Sequence, residues 1–317
     1  MSGSYERINY ALRPAKCIER KMLCEAFRRL SDFRLVESYR YVGFGSPYFS
    51  DFNLFHKELN ICAMNSIEHD TENTERFLFN RPFKCIEINF GESNEILPQL
   101  PWGDICTLTW LDYDGALNNS VLEDIKHITA NSAPGSLIII SVNAHPYQYK
   151  ELPTERLDTL REYVGVEKVP ANVAPGDLNS WGLAKISRRI VQNEIDETLT
   201  DRNAIRPSGQ KILYRQLFNF HYSDGAKMLT VGGILYDEGQ LPKLESCAFG
   251  SLPFIKNNEE PYLIEVPNLT LREIRQLNAQ LPTANLEELD APGVPKRDIE
   301  RYAQVYRYFP TFTEADI

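Results

Sequence analysis

Apolar residues follow two rhythms along this chain. Between Tyr39 and Val142, short apolar runs alternate with longer stretches in which apolar positions recur every three or four residues. The runs predict strands at 39–43, 62–67, 85–90, 105–111 and 137–142. The stretches between them predict helices near 50–58, 71–79 and 119–131, with Thr71 as the cap of the second. The last run, Leu137 to Val142, is continuous and β-branched, as a strand covered on both faces must be. Alternation of this length predicts a parallel sheet with helices on both sides.

The flanks read differently. Residues 14–30 predict a helix that opens on Pro14, with Ile18, Met22, Leu23, Ala26, Phe27 and Leu30 in one stripe that should pack on the main domain. Arg13, Lys16 and Arg20 fall near one another off that stripe. Beyond Lys150 a helix is expected over 153–163 and another over 178–192, followed by a polar, charged loop to Gln210. Two strands, Leu213 to Tyr222 and Met228 to Tyr236, flank the turn Ser223-Asp224-Gly225-Ala226-Lys227 and predict an antiparallel hairpin. After Gln240, Pro242, Pro253, Pro261 and Pro267 punctuate an irregular segment, with helices expected at 270–280 and 296–308. The chain is thus expected to divide into an N-terminal helical segment (1–38), a main domain (39–240, with an insertion at 170–210) and a C-terminal extension (241–317).

Composition narrows the class. The 317 residues are 43% hydrophobic and 25% charged, the balance of a soluble globular protein. No apolar run approaches the roughly 20 residues that span a bilayer, and Met1 to Tyr10 lacks an apolar signal core, so a cytoplasmic, non-membrane protein is expected. The net charge is −10, yet residues 1–40 hold nine Lys/Arg against five Asp/Glu, leaving −14 on the remainder. An acidic body argues against wholesale duplex binding. The basic N-terminal segment leaves open either a local contact with nucleic-acid phosphate or a solvated helix face. The six cysteines include no C-x-x-C pair, so no zinc site is expected and a reducing compartment fits. Cys62, Cys85 and Cys106 lie in or beside apolar runs and read as buried thiols.

Open α/β sheets bind ligands at the carboxyl ends of their strands. Here the first strand ends in Tyr41-Val42-Gly43-Phe44-Gly45-Ser46. Its two glycines permit a sharp turn and a close backbone approach to a ligand, which an added side chain should block. The second ends in Glu68-His69-Asp70, with Glu68 placed 25 residues after Gly43; a carboxylate there can accept both hydrogen bonds of a ribose diol. The third ends in Gly91-Glu92, the fourth in Asp112-Tyr113-Asp114, and Asn143 and His145 follow the fifth. Asp112, Asp114 and His145 are the candidate catalytic bases. The Asp112-Tyr113-Asp114-Gly115 stretch also suits an oxygen-ligated Mg²⁺ or a plain turn, and no metal is assigned. Phe44, Tyr48, Phe49, Phe52 and Phe55 cluster after the glycine loop; some must be core, with one or two against the ligand.

This order of elements resembles the class I S-adenosylmethionine-dependent methyltransferases. Val42 to Ser46 resembles their glycine-rich cofactor loop, and Glu68 the acidic ribose ligand. Asn89-Phe90-Gly91-Glu92-Ser93 is similar to the third-strand segment whose acid binds the adenine amino group. Gly103-Asp104-Ile105 through Asp112-Tyr113-Asp114 looks like the fourth-strand motif beside the transferable methyl, and Ser132 to Ile140 like the turn and fifth strand. The resemblance covers 39–240. With Leu12-Arg13-Pro14-Ala15-Lys16 near one end and Tyr306-Arg307-Tyr308-Phe309-Pro310 near the other, the whole chain is similar to a bacterial family described as putative O-methyltransferases.

The resemblance implies a Rossmann-like, seven-stranded, mostly parallel α/β sheet with a terminal antiparallel hairpin. It implies S-adenosyl-L-methionine as cofactor, held by Gly43, Phe44, Gly45, Ser46, Glu68, His69, Gly91, Glu92 and Asp112, and O-methyl transfer to an unidentified small-molecule or protein acceptor. Two departures stand out: Tyr41 occupies the place of an acid two residues before the first glycine, and Pro47 stands near the place of a third glycine. Asp112 is then a candidate for the donor's ammonium group. The 170–210 insertion and the C-terminal extension are candidates for a substrate lid. Alternatives are an RNA- or DNA-modifying methyltransferase that holds phosphate through Arg13, Lys16 and Arg20, and a cofactor-binding interaction module without turnover. At fold level the alternative is an NAD-dependent dehydrogenase, which the glycine turn and Glu68 suit but the terminal hairpin and Gly91-Glu92 do not.

Overall fold

The computed structural model describes residues 13–146 and 152–311; the Met1 to Tyr10 stretch and Leu12 lie outside these. The described residues open with helix α1 (Pro14–Arg29) and then alternate: β1 (Arg40–Gly43), α2 (Ser50–Leu59), β2 (Ala63–Glu68), α3 (Thr74–Asn80), β3 (Ile86–Phe90), α4 (Ser93–Ile96), β4 (Thr107–Asp112), α5 (Asn119–Asn131), β5 (Leu137–Asn143). Helices α6 (Pro153–Val164) and α7 (Gly182–Asn203) lead to the hairpin β6 (Ile212–Ser223) and β7 (Lys227–Asp237). Helix α8 (Leu241–Ser246), strand β8 (Tyr262–Ile264), and helices α9 (Leu271–Asn278) and α10 (Lys296–Val305) complete the described chain.

The strands form one eight-stranded sheet in the order β3-β2-β1-β4-β5-β7-β6-β8. The first five pair in parallel, β7 runs antiparallel between β5 and β6, and β8 pairs parallel with β6 at the edge. This is a Rossmann-like α/β fold. The antiparallel β7 between β5 and β6 separates it from the dinucleotide-binding arrangement, in which the corresponding strands run 3-2-1-4-5-6.

Alternation along each strand divides the core in two. Tyr41, Met64, Ile86, Leu108, Trp110 and Ile139 point to the face covered by α1 and α2. Val42, Ile67, Leu111, Ile138, Ile140 and Val142 point to the face covered by α5, α6 and α7. Each fully buried aromatic on the first face, such as Phe27, Phe52 and Phe55, contributes about 2 kcal/mol through the water it leaves. That core reaches from Ala15 on α1 to Val305 on α10, so both flanks share it.

The structure differs from the sequence reading in five places. Of the three thiols read as buried only Cys106 is, because Cys62 and Cys85 stand just ahead of their strands, Cys62 exposed and Cys85 half-buried. The sheet has an eighth strand, three residues long, which pairs with β6 and packs Tyr262 against Phe254 and Phe220. The helix expected at 178–192 runs from Gly182 to Asn203. The stretch read as a polar loop continues its apolar row through Ile195 and Leu199, both buried, while Glu194 and Glu197 pair with Lys168. Thr71 caps nothing: the Asp70 carboxylate accepts from the Glu72 and Asn73 amides at 3.1 Å, turning the chain before α3 starts behind Asn73. Lastly, Arg13, Lys16 and Arg20 do not form a solvated basic face, because α1 turns that side inward, as described below.

Backbones pack closely where β7 crosses the bulge in β6 between Gln216 and Phe218. A Cβ at Gly233 would stand 2.1 Å from the Arg215 carbonyl oxygen, and one at Gly232 would stand 2.5 Å from that of Ile138. Backbone cannot yield as a side-chain tip can. Gly233→Ala is therefore expected to lower stability by about 2–3 kcal/mol, read as a lower urea midpoint at unchanged slope.

Candidate functional site

A cleft of about 270 Å³ opens at the carboxyl ends of β1 to β4. Of the residues singled out in the sequence, Phe44, Gly45, Ser46, Glu68, His69, Gly91, Glu92, Asp112 and Asp114 line it. Gly43 and His145 are not among its lining residues. Nor is any described residue of 170–210 or 241–311, the segments expected as a lid.

Glu68, 5% exposed, anchors the floor. Its Oε1 accepts from the Gly45 amide at 2.8 Å and from the Ser66 hydroxyl at 2.6 Å. Burial pushes the Glu68 carboxyl up to about 7, against the pull of those two donors. The glycines are demanded by what lies beneath the loop. A Cβ at Gly45 would come 2.5 Å from Ser66 Oγ and 2.6 Å from the Phe49 ring. One at Gly43 would come 2.6 Å from Tyr41 Oη and 3.0 Å from the Trp110 carbonyl oxygen. An added side chain therefore strikes protein, and the loop would have to shift before any ligand was blocked.

Tyr41 stands where an acid was expected, and its side chain reaches a carboxylate on the next helix. The Tyr41 hydroxyl donates to Asp51 in the first turn of α2. The Tyr41 ring is held edge-on by Phe52 at 4.8 Å and Phe55 at 4.9 Å. Asp51 is 8% exposed and lines the cleft beside Arg20 of α1. Burial raises the Asp51 carboxyl, while the Arg20 charge and the Tyr41 hydroxyl oppose that rise. Arg20 Nε is buried and finds no hydrogen-bond partner among the described residues.

The wall behind Asp112 is also built by α1. Lys16, 1% exposed, places its ammonium 2.7 Å from Asp112 Oδ1, 2.7 Å from Glu19 Oε2 and 3.1 Å from the Tyr222 hydroxyl. It also lies 4.4 Å from the centre of the Trp110 ring, a cation–π contact strengthened by the loss of water. The Tyr222 hydroxyl donates to Glu19 at 3.1 Å. Of the five, only Asp112 and Trp110 line the cleft, and Asp112 is the partner that reaches solvent.

On the opposite wall, Phe44 packs edge-on against Tyr113 at 5.0 Å. The Tyr113 hydroxyl donates to Asp124 at 2.6 Å, and the Ser93 hydroxyl donates to the same oxygen. Of the other aromatics after the glycine loop, Phe49, Phe52 and Phe55 are fully buried core and Tyr48 is 36% exposed.

Sequence reasoning missed Glu19, Asp51 and Tyr222, and read Lys16 and Arg20 as a basic face open to phosphate or solvent rather than as parts of the cleft wall. A signal for two of them was present. Lys16 and Glu19 extend the row Leu23–Phe27–Leu30 at three- and four-residue steps, so both charges lie in the arc that packs inward. Charges of opposite sign in a buried arc point to a specific internal partner.

The sequence matches the family described as "Putative O-methyltransferase" over residues 8–317, and the chain belongs to that family. It is a methyltransferase by family. No curated protein matches it. Among solved structures it is similar to the O-methyltransferase TomG from Streptomyces achromogenes in complex with SAM, at 14% identity over 68% of this chain and 78% of that one, TM-score 0.36. It is also similar to a putative O-methyltransferase from Klebsiella pneumoniae, at 15% identity over 69% and 88%, TM-score 0.34. A third is CrArsM, an arsenic(III) S-adenosylmethionine methyltransferase from Chlamydomonas reinhardtii, at 11% over 63% and 64%, TM-score 0.37. These likenesses assign no acceptor and no residue role here. Among the described residues no helix is long and apolar enough to cross a membrane.

Removing the Lys16 charge leaves two carboxylates facing each other beside an apolar ring. Lys16→Met is expected to cost about 3–5 kcal/mol, the range for breaking one partner of a buried pair. Glu19→Gln, which keeps a hydrogen-bonding side chain, should cost less. Chemical denaturation of both variants measures this.

Proposed function

We propose that the cleft binds S-adenosylmethionine and that the protein transfers its methyl group to an oxygen of a small-molecule or protein acceptor. The observation that carries the reading is Glu68. It is a buried carboxylate at the end of β2, hydrogen-bonded to the amide of the glycine loop at the end of β1, in a sheet whose ligand edge is open there. A ribose diol presents two donors to such a group. Family membership supplies the class of reaction.

The remaining charges suit the other end of the donor. Its methionine part carries one ammonium and one carboxylate. Asp51 and Arg20 offer the two complementary charges side by side on the cleft wall, and Arg20 Nε has a hydrogen-bonding capacity to fill. Asp51 thereby replaces the acid displaced by Tyr41, and takes the ammonium contact first considered for Asp112. Glu92 remains the candidate for the adenine amino group, with Gly91 and His69 beside it.

The bound donor supplies an electrophilic methyl on a sulfonium, so the protein's task is to align the acceptor oxygen and accept its proton. One Asp112 oxygen is already engaged by the Lys16 ammonium at 2.7 Å, so Asp112 is assigned to the cleft wall rather than to the acceptor. Asp114, on the turn that follows, takes the proton-acceptor role in this proposal. His145 takes none, since it lies outside the cleft lining. A nucleic-acid acceptor held by the N-terminal segment is not favoured. Lys16 is buried and paired, Arg20 faces the cleft, and Arg13 Nε sits 3.7 Å from Asp224.

Two measurements test the reading. In the free protein the Glu68 carboxyl is half protonated near pH 7, and the ribose prefers the carboxylate. Donor affinity should therefore rise with pH through about 7 and level off above it, with proton release on binding below that point. Glu68→Gln should weaken binding about tenfold or more and remove the pH dependence; a pH dependence kept in Glu68→Gln would refute the assignment. Separately, Asp51→Asn and Arg20→Ala should each weaken S-adenosylmethionine binding about 10- to 100-fold. Binding of 5′-methylthioadenosine, which lacks the amino-acid end, should be unchanged. Equal losses for both ligands would place the methionine end elsewhere.

A further inference from the structure

The parallel pairing of β2 with β3 has an effect at the end of the sheet away from the cleft. Its register sets Met64 beside Ile86. The residues just ahead of the two strands, Cys62 and Cys85, are thereby brought together although 23 positions separate them in the sequence. His56, in the last turn of α2, reaches the same point. Its Nδ1 lies 3.6 Å from Cys85 Sγ and 3.9 Å from Cys62 Sγ, and the three donor atoms all lie within 4.8 Å of one another.

Those separations have a chemical meaning. Around a tetrahedral zinc with bonds of about 2.3 Å to sulfur and about 2.0–2.1 Å to nitrogen, ligand atoms stand roughly 3.6 Å apart for nitrogen and sulfur, and roughly 3.8 Å apart for two sulfurs. The backbone therefore already holds the donors near the spacing that the ion requires. The His56 ring is fixed from the side by Phe83, whose ring centre is 4.2 Å away. Two thiolates and one imidazole are a donor set that selects zinc over oxygen-loving cations. Cys62 is exposed, so solvent can reach the fourth position.

We propose that His56, Cys62 and Cys85 form a binding site for one zinc ion, with water as the fourth ligand. Coordination exchanges one interaction for another. Nδ1 now lies 2.9 Å from the Ile61 carbonyl oxygen; on binding it gives its lone pair to the metal and the ring proton sits on Nε2. The two thiols are bound as thiolates, and their protons go to solvent. A redox pair is the competing use of two adjacent cysteines. The spacing in sequence gave no hint of the site, because the strand register and the end of α2 create it. The ion would fasten the last turn of α2 to the starts of β2 and β3, at the opposite end of the helix from Asp51.

The test uses the full-length protein, reduced and freed of metal, and does not depend on the donor or acceptor. Zinc is titrated against a chromophoric chelator, and cobalt(II) is used as a spectroscopic probe for thiolate ligation. We expect one zinc per chain, a thiolate-to-cobalt charge-transfer band, and a rise in melting temperature with zinc. Cys62→Ser and Cys85→Ser should each weaken zinc binding at least 100-fold, and His56→Gln at least tenfold. Cys24→Ser, a buried thiol on α1, should bind as the unaltered protein does. Unaltered binding in the Cys62→Ser/Cys85→Ser double variant overturns the proposal. So does the absence of the charge-transfer band in the unaltered protein, or a Cys62–Cys85 disulfide found by mass spectrometry in protein purified with reductant.

Discussion

One ammonium group, taken out of water, joins the N-terminal helix to the working edge of the sheet. Lys16 has no route to solvent, so its charge has to be balanced within the protein, and Glu19, Asp112, Tyr222 and the face of Trp110 balance it. Everything on that side of the cleft follows from satisfying it. Asp112 is drawn to the wall, Tyr222 at the end of β6 is drawn toward β4, and α1 is locked in a rotation that sends Arg20, one turn further on, into the cleft beside Asp51. Helix stripe and ion pair agree on this rotation. Hydrophobic burial alone would fix the stripe, but it would not choose which polar group meets which strand end.

The opposite wall is organised by hydrogen bonds to backbone and hydroxyl groups. Glu68 ties the ends of β1 and β2 through Gly45 and Ser66, and Asp124 gathers the hydroxyls of Tyr113 and Ser93. Burial raises both carboxyls, and Glu68, pushed up to about 7, holds part of its charge in protonated form in the ligand-free site. A ligand that brings donors or positive charge can draw the Glu68 carboxyl into the ionised state.

What could be read from the sequence was what depends on local pattern. Continuous apolar runs gave the parallel strands, because a doubly covered strand has no polar face to interrupt it. The strand ends gave Glu68, Glu92 and Asp112, because an open α/β sheet places ligands there whatever the ligand is. The hairpin was legible from its turn. What could not be read depends on docking or register. Arg20 and Asp51 meet only when α1 lies on α2, and Tyr41 reads as a missing acid until Asp51 is seen behind it. Cys62 and Cys85 meet only through pairing of strands. The later half of α7 was hidden by its own charges, of which Glu194 is buried against Lys168 and Arg202 bonds the carbonyls at the end of α5, while the apolar row continues through Ile195 and Leu199.

The length of chain between α1 and its partners carries a further consequence. The Lys16 amide donates to Asp224 at 3.1 Å and its ammonium reaches Tyr222, residues that the ribosome adds some two hundred positions later. Helix α1 must therefore wait with a lysine and a glutamate on its inward arc until the hairpin arrives. During synthesis the parallel half of the sheet can form first, since its pairings are close in sequence. The cleft acquires its final wall only when β6 closes over α1. A chain released before Tyr222 has the strand ends and the glycine loop but no closure for the Lys16 charge, so completion of the site reports completion of the main sheet.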